Sequence, residues 1–431
     1  MGTTPGAPTD LRIAVVGYGL RGSVAREAHR PGDGSVVAAV CDPSETALAK
    51  AGADFPGALL TTDLDEALAG VDAAMVLTPD DRHVGPTLRA LEAGVAVFCE
   101  KPLATSLEDT DAMLAMARRT GSRLYVGHNM RHMPVVVLMR ELVAAGRIGE
   151  VKAVWCRHFV GHGGDFYFKD WHADRSRSVG LLLQKGAHDL DVIHWLAGAY
   201  SARVQAVGAA SLYAGLTGRR DRSGERMPDW FSLDNWPPTE QEVHPVVDVE
   251  DVSQVNMLLG NGVLASYQQC HFTPDYWRNY TVIGTHGRIE NMGDTSGAEV
   301  HLWDRRHRGR AEPDEVFVVP EASGGHGGAD VALVSEFVRF VAEGGTTSTS
   351  PVAAREAVAA GIRATESLRG SGCALDVPLL DPEAVAYFDA GQPGARVASR
   401  VAAADPDRET VPPVMTQATT RATTGAGEIT A

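Results

Sequence analysis

The chain is short of the features that would place it outside ordinary soluble proteins. Its 431 residues contain five cysteines, Cys41, Cys99, Cys156, Cys270 and Cys373, with no C-x-x-C pair. An odd, scattered set fits reduced thiols better than a disulfide frame. Cys41 and Cys99 lie in apolar runs, which predicts buried, inert thiols. Positive charge is in deficit: the net charge is −16, which argues against a general nucleic-acid binder. No apolar run approaches the ~20 residues of a membrane span. Residues 1–10 have neither a basic nor an apolar leader segment, so no signal peptide and a cytoplasmic location are expected. No internal repeat is visible.

What is present is an ordinary globular composition, 44% hydrophobic and 22% charged, long enough for two or three domains. From Leu11 to Val126, apolar strand-like runs alternate with helical segments in units of ~25–30 residues, which predicts a doubly wound parallel sheet. Strands are expected at Leu11–Val16, Ser35–Cys41, Asp72–Leu77, Ala96–Cys99 and Arg123–Val126. The texture changes after Arg131. One helix, Val135–Ala145, precedes strands that alternate apolar and polar residues, with Gly260-Asn261-Gly262 as the clearest hairpin signal. That pattern predicts a second, α+β domain with a large, mostly antiparallel open sheet.

The predicted division is therefore a flexible 1–10, a doubly wound α/β domain at 11–130, an α+β domain at 131–385, and a disordered tail at 391–431. The segment 213–247 reads as an insertion, either a plain long loop or a lid or subunit contact built on Trp230, Phe231 and Trp236.

Gly17-Tyr18-Gly19-Leu20-Arg21-Gly22 follows the first strand and opens a helix. In this G-x-G-x-x-G context the glycines make a tight turn, admit a pyrophosphate and let helix and strand pack closely. The helix N-terminus offers free N–H groups to the anion. Asp42 ends the second strand, where a carboxylate accepts ribose hydroxyls and repels a 2′-phosphate. No Lys or Arg follows in Pro43-Ser44, which favours NAD over NADP. The turns Leu77-Thr78-Pro79 and Glu100-Lys101-Pro102 end later strands and should face the same dinucleotide.

These motifs resemble the Gfo/Idh/MocA family, named for glucose–fructose oxidoreductase, inositol dehydrogenase and rhizopine catabolism. The resemblance is carried by G-Y-G-L-R-G at 17–22, C-D-P at 41–43, T-P-x-x-x-H from Thr78 to His83, A-L-E-A-G at 90–94, F-C-E-K-P at 98–102 and H-D-L-D at 188–191. It spans roughly residues 10–380. It implies a cofactor set of Gly17, Tyr18, Gly19, Leu20, Arg21, Gly22, Asp42, Thr78, Pro79, His83, Glu100 and Lys101, and a cis peptide before Pro102. It also implies that 11–130 is an NAD-binding Rossmann domain and 131–385 a substrate-binding and oligomerisation domain, with sugar or cyclitol substrates and a homodimer or homotetramer formed through the second sheet.

The family pattern joins a lysine, an aspartate and a histidine four residues after that aspartate. Lys101 and His188 match; position 184 holds Gln instead. His188 is the natural proton acceptor and Lys101 the group that polarises the reacting oxygen. Gln184 cannot titrate. Lys185, three residues before His188 on one predicted helix, should lower the His188 pKa. Arg131, His158, His162, Trp171 and Tyr276 are candidates for the substrate wall. The run His158, His162, Asp165, His172, His188 matches no closed metal site, and no metal is expected. The reading is an NAD-dependent dehydrogenase or reductase acting on CH–OH groups. A redox-neutral enzyme with transient oxidation and a non-catalytic NAD-binding sensor stay as alternatives.

Overall fold

The computed structural model describes residues 10–309, 311–319, 321 and 325–393. The expected flexible start, and the expected tail beyond residue 393, lie outside the described residues.

Two sheets organise the chain. The first is six-stranded and parallel: β1 (Leu11–Val16), β2 (Ser35–Cys41), β3 (Leu59–Thr61), β4 (Ala73–Val76), β5 (Ala96–Cys99) and β6 (Leu124–Val126), in the order β3-β2-β1-β4-β5-β6. Strands β4 and β5 are buried at every position, as expected where helices cover both faces. Three of the connecting helices start on side-chain caps: Ser44, Asp63 and Ser106 each accept from a first-turn N–H. Strand β3 has no counterpart in the expected pattern. It is three residues long and its two leucines are exposed, so alternation leaves no trace. Strand order reverses between β1 and β4, which opens a crevice at their carboxyl ends.

The second sheet has nine strands: β7 (Val151–Val160), β8 (Ser201–Ala209), β9 (Val252–Leu259), β10 (Leu264–Cys270), β11 (Tyr276–Gly284), β12 (Arg288–Met292), β13 (Glu299–Trp303), β14 (Glu315–Val318) and β15 (Leu375–Asp376), in the order β14-β13-β12-β11-β7-β10-β9-β8-β15. It is mixed: β7 and β10 run parallel, while the remaining pairs are antiparallel. One face buries Val154, Cys156, Val255, Met257, Tyr267, Tyr280 and Val282 against Leu190, Ile193 and Leu196 of the helix Gly186–Ala197. The other face leaves Trp155, Val207, Leu258 and Leu264 exposed.

The C-terminal helices do not stay with the second sheet. Ala329–Glu343 returns to the first one, where Phe337 and Phe340 pack on Phe98 and Tyr125. Pro351–Arg369 lies between both sheets, giving Val352, Ala354 and Val358 to one core and Ala357, Ala360 and Ala364 to the other. The last helices of the range 131–385 thus pack on both sheets. At Gly361 this helix passes so close to Leu181–Gln184 that a Cβ would stand 2.9 Å from the Leu182 carbonyl oxygen. Glycine there sets the seat of the segment on which the site is built.

Residues 391–393 of the expected tail are among those described. Gln392 is buried, and its side-chain amide clasps Leu124 of edge strand β6: Oε1 accepts from the Leu124 N–H at 2.8 Å and Nε2 donates to its carbonyl at 2.9 Å.

Candidate active site

The glycine-rich turn leaves β1 at Gly17, whose φ is +87° and whose missing Cβ would stand 3.0 Å from Thr78. Only glycine lets the turn after β1 pass so near the turn after β4. A Cβ on Gly19 would meet nothing within 4 Å, so the backbone there borders open space that a pyrophosphate fits. Leu20 is exposed. Tyr18 contributes no side chain to this surface. Its ring is fully buried against Phe55, next to Gly22, and its hydroxyl donates to Asp54 at 2.5 Å. What Tyr18 supplies is its backbone N–H, which donates to Asp42 Oδ2 at 2.7 Å, while Ser44 N–H donates to Oδ1 at 2.8 Å. Each carboxylate oxygen keeps one acceptor site. Asp42 can thus tie the loop to β2 and still receive the ribose hydroxyls of NAD.

Arg21 is committed elsewhere. Its guanidinium donates to Glu100 at 2.6 Å and to Asp330 at 3.3 Å, and Asp330 also accepts from Asn129. This clamp joins the glycine-rich turn, the β5 turn and the helix Ala329–Glu343. Glu100 also accepts from the Lys101 N–H. The side chains of Arg21 and Glu100 therefore brace the cofactor crevice.

His83 ties the turn after β4 to the turn after β5. It is fully buried, with Nδ1 2.8 Å from the Pro102 carbonyl oxygen and Nε2 2.9 Å from that of Thr78. Two carbonyl acceptors require both ring nitrogens to carry hydrogens, which is the imidazolium. Burial opposes that charge, but contact with Cys99, the Asp80 carboxylate and the Pro102 carbonyl raise the pKa to about 10. The Lys101–Pro102 peptide is cis.

The residues expected on one helix sit on two. Leu181–Gln184 ends, Lys185 stands at the junction, and Gly186–Ala197 continues. Tyr267 lies 3.1 Å from where a Cβ of Gly186 would be, so the second helix starts hard against β10. Across this junction the Lys101 Nζ donates to the Gln184 carbonyl oxygen at 3.1 Å. Burial lowers the Lys101 pKa, against the opposing pull of Asp80 and Glu100. His188 is 9% exposed, and its ring lies 6.2 Å from that of His128. Burial, then Lys101 and Lys185, push the His188 pKa well down, so its imidazole is neutral. His188 Nδ1, Gln184 Oε1 and Asp80 Oδ2 are buried without a hydrogen-bond partner. Lys101, Lys185, Gln184 and His188 thus converge, together with Asp80 and His128, which the sequence reading did not single out. Neither of those two belongs to a periodic pattern that would have marked it.

Several candidates for the substrate wall lie in the interior. His158 is fully buried; it faces Asp189 at 3.0 Å through Nδ1 and Arg278 at 3.2 Å through Nε2. Asp189 is the hub of that polar core and also accepts from Tyr267 at 3.0 Å and Tyr280 at 2.5 Å. Arg131 is spent on a two-pronged pair with Asp191, 2.7 Å on both arms, and on the Ser348 carbonyl. Both side chains have their polar groups engaged inside the protein, as a buried charge or ring requires. Trp171 stacks on His172 at 3.8 Å. Tyr276 is 44% exposed, with its hydroxyl on Asp294.

His162 stacks on Phe231 of the 213–247 insertion. That insertion covers the helix Gly163–Tyr167 of its own chain: Trp230 and Asn235 donate to Asp165, and Lys169 pairs with Asp165 and Glu240. Asp165 is thereby fully engaged. Among the described residues, no three His, Cys, Asp or Glu side chains cluster as a metal site, and no helix is long and apolar enough to cross a membrane.

Known proteins share both parts of the chain. Residues 11–128 match the model of the oxidoreductase family with NAD-binding Rossmann fold, and residues 140–377 match that family's C-terminal alpha/beta domain. Inositol 2-dehydrogenase of Corynebacterium glutamicum is 30% identical over 200 residues, 45% of this chain and 56% of that protein. 1,5-Anhydro-D-fructose reductase of Ensifer adhaerens is 34% identical over 189 residues, 42% of this chain and 56% of that protein. The aligned stretches thus span little more than half of either relative. A levoglucosan dehydrogenase structure with NADH and levoglucosan shares the fold, with a TM-score of 0.69 at 20% identity over 86% of this chain and all of that one. The chain belongs to the Gfo/Idh/MocA oxidoreductase family, with an NAD-binding Rossmann domain followed by the family's C-terminal α/β domain.

Proposed function

We propose that the chain is an NAD-dependent oxidoreductase that interconverts a hydroxyl and a keto group on a sugar, sugar derivative or cyclitol. The observation that carries this reading is the convergence of Lys101, Gln184 and His188 beside the carboxyl end of β5. Gly17, Gly19, Asp42, Thr78 and Pro79 would hold NAD, which when bound supplies the hydride acceptor. Lys101 donates to the reacting oxygen and stabilises negative charge on it. His188 accepts the hydroxyl proton at its unpartnered Nδ1. Gln184 and Lys185 position the substrate. The division of labour between a cofactor part near 11–130 and a substrate part beyond it belongs to the same reading.

The oligomer we propose, a homodimer or homotetramer, forms through the open face of the second sheet, where Trp155, Val207, Leu258 and Leu264 are exposed. Light scattering coupled to size exclusion tests it. A monomer at all concentrations would refute it.

The test of activity is incubation with NAD and a panel of sugars and cyclitols. Appearance of NADH supports the reading. Product without NADH would replace it with a redox-neutral cycle. Lys101→Met should lower turnover by about 100-fold or more, and a loss under threefold in a folded protein would remove Lys101 from the mechanism.

A further inference from the structure

Among the described residues, the cations around the candidate site and the polar core beside it have acceptors, except the partly buried Lys185. Arg278 faces Asp189 and Asp294, each at 3.1 Å. Arg131 is held by Asp191, Lys169 by Asp165 and Glu240, and Arg355 by Asp111 and Glu356. Lys101 has the Gln184 carbonyl. Lys185 has only the face of Tyr167, 5.9 Å from its Nζ, at the outer limit of a cation–π contact. Among the described residues no carboxylate, carbonyl or hydroxyl accepts from it.

We propose that the substrate site takes a sugar or cyclitol bearing an anionic group, carboxylate or phosphate, and that Lys185 binds that group. The proposal rests on the oxidoreductase reading and narrows it. Lys185 is partly buried and its Nζ has no protein acceptor among the described residues, so a ligand anion is the partner open to it. Nothing nearby can take that place internally. Asp189 already accepts from His158, Tyr267 and Tyr280 and is ion-paired with Arg278, and Asp294 accepts from Tyr276 and Arg278. The residue on the Lys101 side, Gln184, is an amide and brings no negative charge.

The groups facing Lys185 set its protonation. Burial, then Arg278 and Lys101, bring its pKa down to about 7, while Asp189 and Asp294 oppose. His158, His188 and His271 lie within its field, and their own pKa values are lowered, so these rings add no charge near neutrality. An anion bound at Lys185 raises its pKa again. Binding at pH 8 should therefore take up a proton.

Calorimetric titration of the full chain saturated with NADH tests this. The probes are D-glucuronate and D-galacturonate against D-glucose and D-galactose, with D-glucose 6-phosphate to separate phosphate from carboxylate. At least one anionic sugar should bind about tenfold more tightly than its neutral parent. At pH 8, runs in buffers of different ionisation enthalpy should show uptake of close to one proton. Lys185→Met should lose both effects with NADH affinity kept. Lys185→Arg should keep the preference and lose the uptake, since arginine stays charged. Equal or tighter binding of the neutral sugars, no binding of any anionic probe, or a preference surviving in Lys185→Met would overturn the proposal. Turnover of a neutral sugar alone would overturn it and leave the oxidoreductase reading standing; failure to bind NADH would overturn both.

Discussion

Lys101 and Gln184 meet across the two sheets: an ammonium at the end of β5 donates to a main-chain carbonyl 83 positions later, at 3.1 Å. The contact holds whatever side chain stands at position 184, because it uses the backbone. Replacing a carboxylate by an amide there changes the charge of the site and leaves the seat of Lys101 intact.

His188 is held neutral by burial and by Lys101 and Lys185. As general base it should give an acid limb in the pH profile of kcat/KM for oxidation that lies below the ordinary histidine value of about 6.5. Lys185→Met removes a neighbouring cation and should move that limb upward. His188→Ala should cut turnover about 100-fold or more. A limb unmoved by Lys185→Met would show that Lys185 does not act on His188.

Asp42 has two duties, and they separate by substitution. Asp42→Asn keeps one acceptor oxygen, while Asp42→Ala loses the ties to Tyr18 and Ser44. Each should weaken NAD by about tenfold or more, and Asp42→Ala should narrow the gap between NAD and NADP. Fluorescence titration with both reduced cofactors reads this. An unchanged NAD:NADP ratio would count against Asp42 as the selector.

His83 should be protonated at pH 8, visible as an imidazolium by NMR. A ring raised to about 10 in the fold from a normal value of about 6.5 stabilises fully below pH 6.5 and loses that contribution as pH rises through 10. The difference in melting temperature between the wild type and His83→Leu should therefore shrink between pH 6 and pH 10. A difference independent of pH would mean a neutral ring.

Arg131 and Asp191 form a buried pair. Arg131→Met leaves the carboxylate uncompensated and should cost about 3–5 kcal/mol in denaturant unfolding. If Arg131 instead served substrate, the variant would lose KM and keep its stability.

The nucleotide-binding half was legible because its signals are local: glycines after a strand, an acid at the next strand end, alternating units. The second half was less so. The hairpin Gly260-Asn261-Gly262 announces that β9 and β10 pair, and they do. No local signal says that β10 then docks parallel to β7, since that choice is made by distant packing. The inward placement of His158 was legible in its own strand. Val154, Cys156 and Val160 share its parity along β7, and that parity faces the core. The break at Lys185 was invisible, because Leu183, Ala187 and Leu190 keep helical spacing through it. It follows from Tyr267 crowding Gly186 and from the close seat at Gly361.

The Gln392 clasp on Leu124 has a bearing on self-association. Strand β6 is the last of its sheet, and an unguarded strand edge recruits strands from other molecules. A single amide, donor and acceptor together, occupies the groups through which that recruitment would begin. A chain ended at Ala390 would keep every strand and every residue of the candidate site. It should nevertheless scatter light increasingly with concentration, where the full chain does not.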